Sequence, residues 1–243
     1  MKYTDIHIHA ICGVDDGAKT ESEMQCMVDA SYADGVRTLC VTPHYHPGYF
    51  GDNRKDIDTA FSALVQYTGR KYPDLEICMG SELRYSPGCV SWLNSGQCRT
   101  LNGTQYVLVD FPEKAERQLI IGGLEDLLSA GYRPVLAHAE RYKRLDAKDI
   151  RTLRADGIIV QIDTQSVFGN FGIGAQRRCK RLLSEGLADI AATDAHNTTE
   201  RPPTVSNFYA YALKRYGSQY ADNLCRYNAL KILNDNPVGK DNE

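Results

Sequence analysis

Histidine and carboxylate side chains recur in this sequence at spacings that suit metal binding. His7 and His9 stand two residues apart, and so do Asp194 and His196. Because residues two apart on a β-strand point to the same face, each pair can hold one ion. Mixed imidazole and carboxylate donors suit Mn, Fe or Zn better than Ca or Mg. Further residues of the same two types follow other apolar runs, namely Asp16, His44, Glu82, Asp110 and His138.

The charge balance of these nine side chains indicates both the number of ions and the kind of ligand. Without cations, four carboxylates packed together would resist ionisation and oppose folding. Two or three divalent ions remove that repulsion, and three would leave about two positive charges, which match a phosphate dianion. A single strand histidine is more often a buried core residue than a metal ligand. The joint occurrence of all nine residues at predicted strand exits favours a metal cluster.

Two arginines follow the candidate ligands closely in the chain. Arg141 comes three residues after His138, and Arg201 comes five residues after His196. A guanidinium beside a metal cluster can bind phosphoryl oxygens, so we expect both to contact a phosphate, with a surface ion pair as the alternative. His46 is expected at the rim of the site rather than as a ligand. Four further basic residues are expected on a solvated helix face instead, namely Arg177, Arg178, Lys180 and Arg181.

The apolar pattern predicts a scaffold that can bring these distant residues together. Seven apolar runs each precede a stretch of helical periodicity, and the alternation predicts an α/β fold with a parallel sheet in one domain over residues 1–243. Periodicity does not decide between a closed barrel and an open sheet, but both place active sites at the carboxyl ends of the strands. Asp163, at the end of the sixth run, has no expected role in the site. The runs are 2–9, 36–43, 75–80, 105–111, 133–138, 158–163 and 188–194.

Local signals define the ends of two predicted helices. Thr20 is the expected N-cap of the first helix, with Glu23 three residues on and Gly35 just past the end. The last helix is expected from about Gln219 to Leu233.

Composition narrows the classes of partner. The 243 residues are 42% hydrophobic, and 28 basic against 31 acidic side chains give a net charge of -3. This balance provides no basic stripe for nucleic acid or for an anionic membrane. No apolar run reaches the roughly 20 residues of a membrane span, and the first residues lack the pattern of a signal peptide. We therefore expect a cytoplasmic protein without membrane insertion, whose eight cysteines are reduced.

One motif suggests a different phosphatase chemistry. Cys78 and Arg84 are separated by five residues, the spacing found in thiolate-based protein phosphatases. Such a loop cradles a phosphate dianion with backbone N–H groups, and Glu82 in its middle would repel that ligand. Cys78 also lies within an apolar run. The sequence therefore predicts a buried structural cysteine here.

Several motifs together resemble the polymerase and histidinol phosphatase (PHP) superfamily. Within it, Glu140-Arg141-Tyr142 and Arg201-Pro202-Pro203 are most similar to the metal-dependent protein-tyrosine phosphatases of bacterial capsule and exopolysaccharide clusters (CpsB/YwqE type). The resemblance extends from Asp5 to about Pro237, and its motifs keep their order. The other matching segments are Asp5-Ile6-His7-Ile8-His9, Asp15-Asp16-Gly17, Thr42-Pro43-His44, Gly80-Ser81-Glu82 and Asp194-Ala195-His196-Asn197.

The resemblance implies a distorted seven-stranded (β/α) barrel of the PHP type with a trinuclear, usually manganese-dependent site. It implies a phosphotyrosine protein as substrate, the tyrosine-rich tail of a bacterial tyrosine autokinase. Arg141 and Arg201 would bind phosphate. Aspartate at position 110 is a departure, because these phosphatases usually have glutamate there, so the second ion would be held differently or more weakly. By position, the first ion would be held by His7, His9, Glu82 and Asp194, the second by Glu82, Asp110 and His138, and the third by Asp16, His44 and His196.

Attack by a metal-activated hydroxide is therefore the expected mechanism, without a covalent cysteine intermediate. Phenolate, with a pKa near 10, is a fair leaving group, so aryl phosphates need a general acid less than alkyl phosphates do. Four alternatives share parts of the pattern. A small-molecule phosphatase such as a histidinol-phosphate phosphatase would keep the metals and differ at the mouth. A PHP nuclease is disfavoured by the net charge, a metal amidohydrolase usually has a bridging lysine where Glu82 stands, and a non-catalytic module would bind metal without turnover.

Overall fold

The computed structural model describes residues 2–50 and 54–238, and within them the chain forms nine strand segments, all paired in parallel. Three of the segments pair in the order β1-β2-β4, and the other six in the order β3-β5-β6-β7-β8-β9. The bounds are β1 Tyr3–Asp5, β2 Val36–Val41, β3 His44–Tyr45, β4 Glu76–Met79, β5 Glu82–Arg84, β6 Tyr106–Asp110, β7 Arg133–Leu136, β8 Ile159–Asp163 and β9 Ile190–Ala192.

Backbone hydrogen bonds join two pairs of these segments into longer strands. The amide of Gly80 donates to the carbonyl of Val41 at 2.9 Å, and the amide of Glu82 donates to the carbonyl of Pro43 at 3.1 Å. The β2–β4 ladder therefore continues into the β3–β5 ladder. The nine described segments count as seven strands, one for each predicted apolar run.

The first and last strands also meet. Ile8 forms a parallel bridge with Ala195, the amide of Asp194 donates to the carbonyl of His7 at 2.8 Å, and the amide of His9 donates to the carbonyl of Ala195 at 2.9 Å. The curled sheet thus returns to its first strand. The distorted (β/α) barrel is confirmed, and the open sheet that periodicity allowed is excluded.

Helices cover the outside of this sheet. The Thr20 hydroxyl accepts from the amide of Glu23 at 3.2 Å, and Gly35 ends the first helix with a left-handed φ of 108°, so both predicted helix ends are confirmed. Among the described residues, no helix has the length and apolar character needed to cross a bilayer. The helices are α1 Glu21–Asp34, α2 Arg54–Lys71, α3 Cys89–Asn94, α4 Arg117–Ser129, α5 Ala147–Ala155, α6 Gly172–Ser184, α7 Ser206–Tyr216, α8 Ser218–Asp222 and α9 Asn228–Leu233.

The last predicted helix differs from a regular helix. A π-helical segment, Asn223–Tyr227, separates α8 from α9. The segment turns Leu224 and Cys225 into the core, and just after it the side-chain Nδ2 of Asn228 donates to the backbone carbonyl of Asp189 at 2.8 Å. Hydropathy spacing cannot distinguish this insertion from a continuous α-helix, because both present an apolar face.

Side-chain alternation in the strands places the polar residues at one end of the barrel. Tyr106 and Leu108 of β6 belong to an apolar cluster that includes Ile190 of β9 and Ile232 of α9. Asp110 is two residues beyond Leu108 on the same face of β6, so the apolar filling gives way to a carboxylate at the carboxyl end of the strand.

Two adjacent glycines on α4 provide a test of this packing. A Cβ on Gly123 would lie 2.7 Å from Phe111 and 2.9 Å from Tyr85, whereas a Cβ on Gly122 would meet no atom within 4 Å. We expect Gly123→Ala to lower the free energy of unfolding by about 1–3 kcal/mol through overpacking. Gly122→Ala should raise it by about 0.5–1 kcal/mol, because alanine favours the helix. Urea unfolding of the two variants measures both effects, and shifts of the same sign would contradict this packing.

Candidate metal centre

Four buried side chains converge where the first and last strands meet. His7 and His9 extend from β1, Glu82 begins β5, and Asp194 follows β9. The Nε2 atoms of His7 and His9 lie 3.3 Å and 3.2 Å from Oδ1 of Asp194, and 3.4 Å and 3.3 Å from Oε2 of Glu82. One donor atom from each residue falls within 4.8 Å of the others, a spacing that can hold one ion.

A second group consists of Glu82, Asp110 and His138, whose donor atoms also lie within 4.8 Å of one another. Glu82 Oε1 is 3.0 Å from His138 Nε2. Oδ1 of Asp110 and Nδ1 of His138 are buried and have no hydrogen-bond partner in the described part of the chain. Buried polar atoms are nearly always paired, so these orphaned atoms fit a site for a cation.

The third group contains His9, Asp16, His44 and His196. Oδ1 of Asp16 lies 3.4 Å from Nε2 of His44 and 3.2 Å from Nε2 of His196. Asp16 is half exposed, in contrast to the acids of the other two groups. The structure thus brings all nine residues singled out from the sequence into three overlapping groups, and it adds His9 to the third.

Backbone conformation at two of these residues is strained. His138 has a φ of 35° and Asp194 a φ of 48°, both in the left-handed region that non-glycine residues seldom adopt. Each residue comes just after its strand, β7 and β9. The strain is maintained by the surrounding hydrogen bonds and turns both side chains into the shared centre.

The pKa shifts of the histidines and carboxylates show that the centre favours positive charge. Burial opposes protonation of His44, but the carboxylate of Glu82 raises the pKa of His44 to about 9. Burial also opposes protonation of His9, but the carboxylate of Asp15 raises the pKa of His9 well above its ordinary value. Burial and the carboxylate of Glu82 both raise the pKa of Asp110. Divalent ions would take over the role of these protons, because imidazole and carboxylate bind metals in their deprotonated forms.

Two residues that the sequence analysis missed orient the histidines from behind. Oδ2 of Asp15 lies 2.8 Å from Nδ1 of His9, and it also accepts from the amide of His44 at 3.0 Å. Oε1 of Gln161 lies 2.9 Å from Nδ1 of His7 and accepts from the amide of His138 at 3.2 Å. Such partners fix the ring orientation and leave the other nitrogen for the ion. Asp15 could have been found, since it directly precedes Asp16.

Both predicted phosphate-binding arginines lie at this centre. Nη2 of Arg141 contacts Asp163 and lies 2.6 Å from Oδ2 of Asp194, and Nη2 of Arg201 contacts the same Oδ2. The guanidinium carbons lie 4.0 Å and 5.7 Å from the centroid of the Phe171 ring. The expectation that Asp163 has no role is therefore wrong, because its buried carboxylate holds Arg141.

The solvated face expected for the basic cluster on α6 is wrong for one residue. Nε of Arg178 donates to the carbonyl of Glu140 at 2.6 Å, and Arg178 lines the cavity above the metal centre. Arg177, its neighbour, is exposed as expected. Helical periodicity cannot reveal this contact, because Glu140 lies far away in sequence on a short 3-10 turn, Ala139–Arg141.

A cavity of about 490 Å³ opens over the three groups. Its lining includes Asp16, His44, Phe171, Arg141 and Arg201. The volume suits a small organic ligand with a charged end. The acidic donors and the guanidinium groups that line this cavity can together bind an anion only when cations occupy the donors.

His46 lies outside the three groups, on the segment before the undescribed residues. Its ring stacks on Tyr49 with centroids 5.2 Å apart, and the ring of His44 stacks on Phe50 at 5.3 Å. Tyr49 is 76% exposed. These rings form an aromatic rim beside the third donor group.

Cys78 does not take part in the centre. It is buried in the apolar cluster inside the barrel, as expected, and burial raises the pKa of its thiol to about 11. A thiol of this pKa is protonated at neutral pH and is not a nucleophile.

Comparisons with known proteins agree with this geometry. The family described as "Capsular polysaccharide synthesis, CpsB/CapC" matches residues 3–234. "Tyrosine-protein phosphatase CpsB" of Streptococcus pneumoniae is 32% identical over 95% of this chain and 98% of its own length. "Tyrosine-protein phosphatase YwqE" of Bacillus subtilis is 30% identical over 88% of this chain and 85% of its own.

A solved structure carries the same likeness. The match, described as belonging to "YwqE from Bacillus subtilis and CpsB from Streptococcus pneumoniae, unique metal-dependent tyrosine phosphatases", has a TM-score of 0.86 at 29% identity and covers 97% of this chain and 95% of that one. A putative histidinol phosphatase of Listeria monocytogenes, at 12% identity and a TM-score of 0.52, shares the fold alone. The chain therefore belongs to the CpsB/CapC family of capsular polysaccharide synthesis.

Proposed function

We propose that this chain is a metal-dependent phosphatase that hydrolyses phosphotyrosine in proteins, and that residues 1–243 act as one domain. The observation that carries the proposal is the convergence of nine imidazole and carboxylate side chains into three overlapping groups; seven of these side chains line one cavity together with Arg141 and Arg201. Its relatives named tyrosine-protein phosphatases support the substrate class.

Two or three divalent ions are the proposed cofactor, with manganese favoured by the mixed donors and Fe or Zn as alternatives. His7, His9, Glu82 and Asp194 would hold the first ion. Asp110 and His138 would join Glu82 for the second, and Asp16, His44 and His196, close to His9, would hold the third. When bound, the ions supply Lewis-acid activation of the attacking water and of the phosphoryl group.

The two arginines bind and orient the phosphate in this mechanism. Arg141 and Arg201 each keep a buried Nε atom without a hydrogen-bond partner among the described residues. Each side chain is also partly exposed at the cavity, 21% for Arg141 and 28% for Arg201, so it keeps donors for a phosphoryl oxygen while Asp194 and Phe171 hold it in place. Positioned donors of this kind act on the charge that grows in the transition state.

An aromatic leaving group fits the wall of the cavity. Phe111, Tyr142 and Phe171 are among its lining residues. A phenolate leaves with a pKa of about 10, so the reaction needs no strong general acid. We assign the phosphotyrosine to a bacterial tyrosine autokinase of capsule or exopolysaccharide synthesis; the family description supports the capsular context of this proposal. A cytoplasmic site of action is part of the proposal, supported by eight free cysteines.

Removal of metal should abolish the activity, whereas loss of the Cys78 thiol should not. We expect a chelator to reduce hydrolysis of para-nitrophenyl phosphate by at least about 100-fold, and Mn²⁺ to restore it, because the ions activate the water. Cys78→Ser should retain activity within about threefold, because the thiol is buried and protonated. Loss of activity in Cys78→Ser, with an unchanged unfolding curve, would overturn the metal mechanism.

Arg141→Lys should lower kcat/KM for aryl phosphates by about 100-fold, because lysine keeps the charge but loses the planar pair of donors. Arg177→Lys is the matched control, since Arg177 is exposed on α6 and does not line the cavity. Steady-state kinetics of both variants decide the point. Equal effects of the two substitutions would remove Arg141 from phosphate binding.

Substrate class is tested with matched phosphopeptides. A phosphotyrosyl peptide should be hydrolysed with a kcat/KM at least about tenfold above that of the phosphoseryl peptide of the same sequence, because phenolate leaves more readily than an alkoxide. Release of inorganic phosphate measures both rates. Faster hydrolysis of histidinol phosphate, or degradation of single-stranded DNA, would favour the small-molecule phosphatase or the nuclease instead.

A further inference from the structure

Arg84 is an arginine of the cavity to which the mechanism above gives no role. It ends β5 and is the register partner of Asp110 at the end of β6. Nη2 of Arg84 lies 2.8 Å from Oδ2 of Asp110, and both residues line the cavity. The parallel register that brings Asp110 to the second donor group therefore brings a guanidinium there as well.

The environment of Arg84 repeats that of Arg141 and Arg201 in three respects. Each of the three side chains lines the cavity. In each, Nη2 contacts one oxygen of a carboxylate that also belongs to a donor group. This carboxylate is Asp110 for Arg84 and Asp194 for the other two arginines. Each also has a buried Nε without a hydrogen-bond partner in the described part of the chain.

Arg154 shows how an arginine with a purely structural role differs. Its side chain is 27% exposed, close to the 26% of Arg84, and it is also paired with an aspartate, Asp189. However, Nε of Arg154 donates to that carboxylate at 3.1 Å, Nη2 donates to it at 2.6 Å, and Nη1 donates to the carbonyl of Gly186 at 3.0 Å. Arg154 thus binds its partners with all three nitrogens, whereas Nε of Arg84 meets no hydrogen-bond partner among residues 2–50 and 54–238.

We propose that Arg84 is a third phosphate-binding residue of the site, contacting the phosphoryl group together with Arg141 and Arg201. A phosphoryl group offers three non-bridging oxygens, and charge spreads over all of them during transfer. Arg84 approaches from the β5–β6 side of the cavity, at Asp110, whereas Arg141 and Arg201 are both fixed to Asp194 beyond β9. The three guanidiniums therefore hold the anion from two sides.

The inference rests on the proposed function for its ligand, but its test does not need turnover. The probe is inorganic phosphate, whose dissociation constant is measured by calorimetry on the manganese-loaded protein. We expect Arg84→Gln to raise this constant by at least about tenfold with an unchanged manganese content, and Arg84→Lys to recover part of the affinity. Arg154→Gln is the matched control and should leave phosphate binding unchanged.

Two results would overturn the assignment. A phosphate dissociation constant within twofold of the parent in Arg84→Gln would show that the side chain does not touch the anion. A loss of manganese from this variant, with Arg84→Lys equally affected, would show that Arg84 only shapes Asp110 for the metal. If the parent protein binds phosphate through Arg84 but hydrolyses no phosphate ester, the inference stands and the proposed phosphatase function fails.

Discussion

The need to balance buried negative charge governs the rest of this structure. Glu82, Asp110 and Asp194 are all nearly inaccessible; Glu82 begins β5, Asp110 ends β6 and Asp194 follows β9. A group of this kind cannot remain ionised in a barrel unless cations stand next to it. Protonated histidines, guanidinium groups and bound divalent metal ions are the three sources of positive charge that can balance these carboxylates. The fold is the frame that keeps all three within reach of the same oxygens.

Residues behind the donors are as necessary to this balance as the donors themselves. Asp15 and Gln161 each hold a histidine ring through Nδ1 and a backbone amide of another donor, so one side chain orients two parts of the centre. Asp163 does the same for Arg141 from the sixth strand of the barrel. These contacts join parts of the chain that are far apart in sequence, and they convert a flexible set of side chains into a defined geometry.

The sequence predicted what depends on local pattern. Seven apolar runs are seven strands of the barrel, and the pairing of His7 with His9 follows from the two-residue period of a strand. Contacts such as His7 with Gln161 and Arg178 with Glu140 were not predicted, because they depend on which strand and helix become neighbours in space. Gln161 has no sequence pattern that indicates a metal site. A basic residue on a helix, such as Arg178, is expected in solvent until the carbonyl it contacts is known. The π-helical segment Asn223–Tyr227 was not predicted either, because the wider turn leaves the hydropathy pattern of a helix intact.

Sharing of donors between the three groups has a consequence for how the centre fills. His9 and Glu82 each belong to two of the three donor groups, so an ion in one group also acts on donors of the next group. The first ion would displace the proton that the shared donor His9 holds, and later ions would find this donor already deprotonated. Uptake of metal by this barrel should therefore be cooperative, with a sigmoidal titration rather than a sum of independent steps.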